Sequence, residues 1–346
     1  MSSAACPAAS APPAAPLPAA PAAVAPAGPG RAAPRWALWS AFAVIYLVWG
    51  STFLGIRVAV ETLPPLTMSA FRFLVSGGIL LLVTARVRPR PSLREWGNAV
   101  FIGSLFFLGN HGLISNAARY LPSSLVCLII STEVPIIAVL SSFLLGQPLT
   151  RAGLVGAALG FGGVLALFAG SGGTEAATNL LACLAVLGGS LSWALGAVFS
   201  QRVRFPPDAV LRAAMQMVCG GALLSGASLL RGEWSGVDLS AFSHRSLFAL
   251  AYLILFGSVL AFACYSYLLK HVRTDAVATH VFVNPLVAVA VGAWLGGEKL
   301  QPIHFVSGLL ILASVSVIVL GQRRRAPARV LASAPSPGPA VPAEAE

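Results

Sequence analysis

The chain reads as an all-α integral membrane protein. Ten transmembrane helices are expected, as two inverted five-helix repeats with both termini cytoplasmic. Three observations predict this: the composition, the spacing of helix breakers, and the alternation of Lys and Arg between successive loops. Charged residues make up 10% of the 346 positions and apolar ones 57%, with a mean hydropathy of +0.84. Soluble domains carry roughly 25% charge, and a soluble chain this apolar would not stay dispersed. The composition excludes a cytosolic enzyme, a nucleic-acid-binding protein and a disulfide-stapled secreted domain. Cys6, Cys127, Cys183, Cys219 and Cys264 have no CxxC spacing, and four of them lie in apolar runs as small hydrophobes.

The two ends differ from the middle. Of residues 1–34, 24 are Ala or Pro, which denies helix and supplies almost no core, so a mobile cytoplasmic tail is expected. The order of a signal peptide is missing there. A second tail, residues 322–346, opens with Arg323, Arg324 and Arg325 and becomes Ala/Pro-rich. Between them the breakers delimit spans at 37–60, 66–85, 96–117, 121–145, 152–170, 179–201, 210–230, 246–269, 276–296 and 303–321. Each is long enough for a ~30 Å hydrocarbon core at ~1.5 Å per residue. Pro64 and Pro65, Pro89 and Pro91, Pro122, Pro148, Gly172 and Gly173, Pro206 and Pro207, and Pro302 mark the breaks. The apolar runs lack the period-two alternation of a membrane barrel.

Basic residues test the count. With both termini inside, sixteen Lys and Arg fall in cytoplasmic segments and four (Arg119, Arg231, Arg245 and Lys299) fall outside. Arg57 and Arg72 remain within spans. This bias supports ten spans with N and C termini in, and the net charge of +11 becomes a topology signal rather than a nucleic-acid one.

The chain also repeats. Trp49 and Gly50 fall on Trp193 and Ala194 at an offset of 144, which places Gly77 on Gly221; Pro135 falls on Pro285 and Gly146 on Gly296 at 150, and Leu145-Gly146-Gln147-Pro148-Leu149 meets Gly296-Gly297-Glu298-Lys299-Leu300 with one inserted residue. Five spans per half invert the second half relative to the first, giving repeats at 36–171 and 178–321. Many transporters build alternating access this way, with substrate near the midplane.

These features carry a family resemblance. Trp49-Gly50-Ser51-Thr52-Phe53, Pro64-Pro65, Arg72-Phe73, His111-Gly112-Leu113-Ile114-Ser115, Gly257-Ser258 through Tyr265, Asn284-Pro285-Leu286-Val287-Ala288-Val289 and Gly296-Gly297-Glu298-Lys299-Leu300 occur in register. Over about 36–321 the chain resembles the drug/metabolite transporter superfamily, EamA type, in its YedA-like exporter branch. The resemblance implies carrier-type movement of small metabolites in a bacterial inner membrane. Gln147-Pro148 departs from it, since many relatives carry an acid there.

Ionisable and polar groups inside spans are costly and mark candidate sites. Arg72 lies six residues into its span without an adjacent acid and is expected to line the outer vestibule or bind an anionic group. Arg57 has two plain roles: pairing with Glu61 at i,i+4, or snorkelling to the interface. Their repeat partners are Gln201 and Gln216, so the charge exists in one half only. Glu133, mid-span before Pro135, is a candidate for proton exchange; its alternative is a structural bond or a pair with Arg72. Asn110, His111, His280 and Asn284 sit at similar depth, each histidine having a satisfied interhelical bond as its alternative. Trp49, Trp193 and Tyr265 are candidate cavity walls. Gly156, Gly160, Gly162 and Gly163 read as close helix packing rather than a nucleotide loop.

No Walker motif, metal-ligand spacing or cofactor fingerprint is present in the sequence. The expected protein is a secondary carrier, not an enzyme, for a small organic or drug-like solute. Export is the expected direction, a proton is the candidate coupling ion, and monomer and homodimer are both open. A membrane-embedded lipid-modifying enzyme and a passive channel are the alternatives.

Overall fold

A computed structural model describes residues 33–147, 149–169, 176–235, 239–272, 274–277, 279–298 and 301–332. Nearly all of the expected N-terminal tail lies outside these residues, as do Pro148, Gly172, Gly173, Lys299 and positions 333–346. No strand occurs among the described residues.

Helix α1 (Arg35–Ala59) gives way to α2 (Pro65–Val83) at the expected proline pair. Pro65 opens α2, where a missing N–H costs nothing. Helix α3 (Leu93–Gly103) begins in a capping box: Ser92 Oγ accepts from the Glu95 amide, and the Glu95 carboxylate accepts from the Ser92 amide at 2.7 Å. It continues through a π-helical segment (Ser104–His111) into α4 (Gly112–Ala117). The expected fourth span is two pieces, α5 (Ser123–Ile130) and α6 (Glu133–Leu144), with a turn at Ser131 and Thr132. Pro135 explains the break, because its nitrogen cannot donate to the Ser131 carbonyl and its ring crowds it. Helix α7 (Arg151–Ala169) ends the first half.

The second half repeats the pattern. After α8 (Ala176–Ser200), α9 (Ala209–Leu230) is capped by Asp208, which accepts from the Leu211 amide at 2.8 Å. Helix α10 (His244–Tyr252) runs through a second π-helical segment (Leu253–Leu260) into α11 (Ala261–His271). Then come α12 (Thr274–Val277), α13 (His280–Trp294) and α14 (Pro302–Ala332), the last continuing beyond the expected end at 321.

Against the ten expected spans, eight segments among the described residues are long and apolar enough to cross a membrane. Two shorter apolar helices, Arg151–Ala166 and His280–Trp294, stand at the expected fifth and ninth places. Large apolar side chains cover the outer surface: Leu230 is 92% exposed, Trp294 87% and Phe143 81%. In water this would drive aggregation; against lipid tails it is the ordinary outer surface.

The two halves meet reciprocally. A Cβ on Gly77 of α2 would lie 2.9 Å from the Val218 amide of α9, and one on Gly221 of α9 would lie 2.9 Å from the Leu74 amide of α2. The offset of 144 equates Gly77 with Gly221 and Leu74 with Val218, so one contact occurs twice. Helices α7 and α14 do the same: Gly156 approaches the Ser314 carbonyl and Gly163 the Ser307 carbonyl, each at 3.0 Å from an added Cβ. Self-complementary contacts of this kind are what a two-fold axis produces.

The loop ends favour the register with one inserted residue over the offset of 150. Gly146 (φ 65°) and Gly297 (φ 61°) both take the left-handed conformation that glycine tolerates. The amides that follow, Gln147 and Glu298, bond back to Ser141 O at 3.3 Å and Gly292 O at 3.0 Å. Gly146 therefore corresponds to Gly297, not Gly296, and Gln147 to Glu298.

Candidate functional site

Arg72 sits ~10 Å along α2 at 1.5 Å per residue, near the middle of the helix rather than at its mouth. It is 5% exposed. Its Nε donates to Ser258 Oγ at 3.1 Å and its guanidinium lies 4.8 Å over the Phe73 ring. Trp49 of α1 reaches the same place: its indole N–H donates to the Gly257 carbonyl at 3.2 Å. Gly257 and Ser258 belong to the second π-helical segment. Wide π turns of this kind recur at functional sites. A Cβ on Gly257 would stand 2.9 Å from Thr52 and 3.6 Å from the Arg72 guanidinium.

Around Trp49 lie Tyr265 (ring centroids 5.3 Å apart) and His280 (5.1 Å). His280 Nδ1 faces the Val277 carbonyl at 2.9 Å, which fixes the proton on that nitrogen and leaves Nε2 as the acceptor. The Asn284 amide, turned to satisfy both neighbours, donates to Tyr46 O at 3.3 Å and His280 O at 3.1 Å. A Cβ on Gly50 would come within 2.6 Å of Val287 Cβ, so glycine lets α1 and α13 close on this group.

A second group forms at the first π-helical segment. Trp193 of α8 packs 4.3 Å from Phe106 and edge-on to His111 at 6.4 Å. His111 lies 4.7 Å from Phe73, so Arg72 and His111 touch one aromatic ring. Asn110, 2% exposed, donates its amide to Glu133 Oε1 at 3.2 Å. All nine candidates thus fall into two groups, one at each π-helical segment, joined at Phe73. Glu133 makes no ion pair with Arg72; the ion pairs among the described residues are Arg57–Glu298, Arg245–Glu61 and Lys270–Asp208.

A cavity of about 370 Å³ lies elsewhere, between α6, α7 and α8. Ile136, Leu140, Phe161, Val164 and Leu191 line it, with none of the polar candidates. It is an apolar crevice.

One cluster was not legible as a site. Arg57 does not pair with Glu61: its guanidinium donates to Glu298 Oε1 at 2.7 Å. The Glu298 side chain is 1% exposed. It also accepts from the Ser123 amide (2.6 Å), the Ser124 amide (3.1 Å) and the Ser124 hydroxyl. Burial alone would raise this carboxyl, but the bonds from Ser124 and Ser123 overcome that and hold it below its ordinary value. Glu61 instead stands 4.0 Å from Arg245. The sequence signal was the Gly296-Gly297-Glu298-Lys299-Leu300 motif, but nothing local names partners 175 and 241 residues away. Glu233 was missed likewise: it caps α2 from beyond α9, accepting from the Thr67 amide at 2.8 Å.

Comparison with known proteins fits this architecture. Two segments, 35–169 and 180–320, each match the EamA-like transporter family. The chain is 35% identical over 288 residues to the uncharacterized inner membrane transporter YedA of Escherichia coli K12, covering 82% of this chain and 91% of that one. It is 27% identical to a probable amino-acid metabolite efflux pump of Salmonella typhimurium, over 83% of this chain and 96% of that one. A solved crystal structure at 20% identity shares the fold, with a TM-score of 0.56 over 85% of this chain and all of the other. The chain therefore belongs to the EamA-like transporter family, as a multi-pass protein of the bacterial inner membrane.

Proposed function

We propose that this protein is a secondary carrier that exports a small organic solute by alternating access. The observation that carries the reading is the reciprocal approach of the halves, Gly77 to Val218 and Gly221 to Leu74. A two-fold scaffold with paired broken spans has two equivalent arrangements, one open to each side. On this reading the repeats are 36–171 and 178–321, flanked by cytoplasmic tails, and the two shorter apolar helices complete ten spans. Sixteen basic residues against four put both termini inside. The efflux activity named for a relative favours export.

Within the site, Arg72 holds an anionic group of the substrate. Its guanidinium has five donors, with one hydrogen bond and no ion-paired acid among the described residues. Trp49, Tyr265, Trp193 and the two histidines form walls. Glu133, oriented by Asn110, is the proton-coupling carboxyl. Substrate counterflow in liposomes tests the carrier: a trapped unlabelled solute should drive transient, saturable uptake of its labelled form. Uptake that is linear with concentration and indifferent to trapped solute would mean a channel.

A further inference from the structure

The Arg57–Glu298 cluster joins three parts of the chain that lie far apart in sequence. Arg57 comes from the last turn of α1, Ser123 and Ser124 from the first turn of α5, and Glu298 from the turn after α13. Helix α13 leaves room for the carboxylate, since a Cβ on Gly292 would sit 2.5 Å from Glu298 Oε2 and 3.2 Å from Ser123 Oγ. All four recorded bonds to the carboxylate are charge-assisted, the stronger class. Separating these parts would strand a buried carboxylate and two helix N–H groups, which requires water to enter.

The repeat makes the cluster one-sided. The matching turn after α6 places Gln147 where Glu298 stands, and the matching end of α8 places Gln201 where Arg57 stands. Both glutamines are exposed, and among the described residues neither side chain makes a hydrogen bond. Other long-range ties occur at both ends. At the Glu298 end, Glu233 caps α2, the Ser246 hydroxyl donates to Val58 O at 2.8 Å, and Arg231 donates to Asn116 Oδ1 at 3.1 Å. At the other end, Asn98 donates to Arg204 O at 2.8 Å, and Lys270 stands 4.0 Å from Asp208.

We infer that Arg57, Glu298 and the first turn of α5 form the extracellular gate of the carrier, and that the amides at the repeat-related positions leave the cytoplasmic side without such a latch. The inference rests on the carrier reading and on its orientation. It gives an exporter a resting state closed to the outside, which admits cytoplasmic solute without stranding a buried carboxylate.

Cys127 reports on the gate, because it is buried on α5 one turn below Ser123. Cys183, buried on α8, is the control. The full-length chain is exposed to an impermeant maleimide in right-side-out vesicles, and each cysteine is read by peptide mass spectrometry. Glu298→Gln and Arg57→Gln should each speed labelling of Cys127 by on the order of tenfold, the factor carried by one hydrogen bond of ordinary strength, with Cys183 unchanged. Unchanged Cys127 in both variants overturns the gate. So does a rise shared with Cys183, which means general loosening. Arg57 is 38% exposed, so Arg57→Gln carries the test if Glu298→Gln fails to fold. Counterflow by the wild type is scored separately, so loss of the carrier reading is distinguishable from loss of the gate.

Discussion

At the scale of single residues, Glu133 and Glu298 divide the work by their surroundings. Glu133 accepts one side-chain bond, from Asn110, and no cation pairs with it among the described residues. Glu133→Gln keeps size and hydrogen bonding while fixing the neutral form. Uptake driven by a pH gradient should collapse, whereas solute exchange without net proton movement should survive; gradient-driven transport at the wild-type rate would clear Glu133 of coupling. Glu298 is expected to behave oppositely. Its carboxyl lies below the usual value of 4.5 because Ser124 and Ser123 hold the charged form against burial. A depressed carboxyl stabilises above its unfolded value and loses that contribution only as pH falls through the lowered one. The ratio of Cys127 labelling in Glu298→Gln to that in the wild type, taken at one pH so that the shared change in thiolate cancels, should therefore stay constant between about pH 8 and pH 5, and a drift of that ratio within the window would contradict the assignment. Arg72 was legible because an unpaired charge inside a span is costly wherever it points. The partners of Glu298 were not, since side-chain geometry between distant segments leaves no local trace.

Helices carry the reciprocal contacts, and glycine sets how closely they approach. Gly77→Leu and Gly221→Leu each push a branched side chain into a backbone amide 2.9 Å from the Cβ position. Overpacking of this kind costs roughly 1–3 kcal/mol. Both variants should unfold at lower temperature in detergent by similar amounts, because each meets the same surface of the other repeat. Gly78, whose added Cβ meets nothing within 4 Å, is the control: Gly78→Leu should leave the transition within error. Breaks at Pro65, Pro122 and Pro302 were readable in advance, since proline acts through its own ring and missing N–H. The π-helical segments were not. Ser104–His111 and Leu253–Leu260 contain no proline and one glycine each, and their extra residue per turn answers to neighbours across the helix rather than to local propensity. The split at Ser131 and Thr132 lies between these cases, with Pro135 visible and the exact place of the turn set by packing.

At the scale of the whole molecule, orientation decides what the one-sided latch means. On the inferred gate, Arg57 and Glu298 close whichever face the loop after α13 occupies, and the excess of basic residues in alternate loops favours the outside for that face. If so, a reporter enzyme active only in the cytoplasm should work when fused after Arg325. Cysteines placed at Gly172 and Ser235, in the loops that precede α8 and α10, should react with an impermeant reagent added outside. Cysteines placed at Arg90 and Arg204 should react only after the membrane is permeabilised, because four of the sixteen basic residues flank the first of these loops and three the second. Retention of Arg and Lys on the cytoplasmic leaflet is reinforced by anionic lipid, at ~1 kcal/mol per residue near the surface. Removing a single arginine should therefore leave the pattern intact, while neutralising Arg86, Arg88, Arg90 and Arg94 together should scramble the first loop. Labelling at Gly172 and Ser235 from the cytoplasm alone would turn the protein over. The same cluster would then close the inner side, and the carrier would rest open to the outside, as an importer needs.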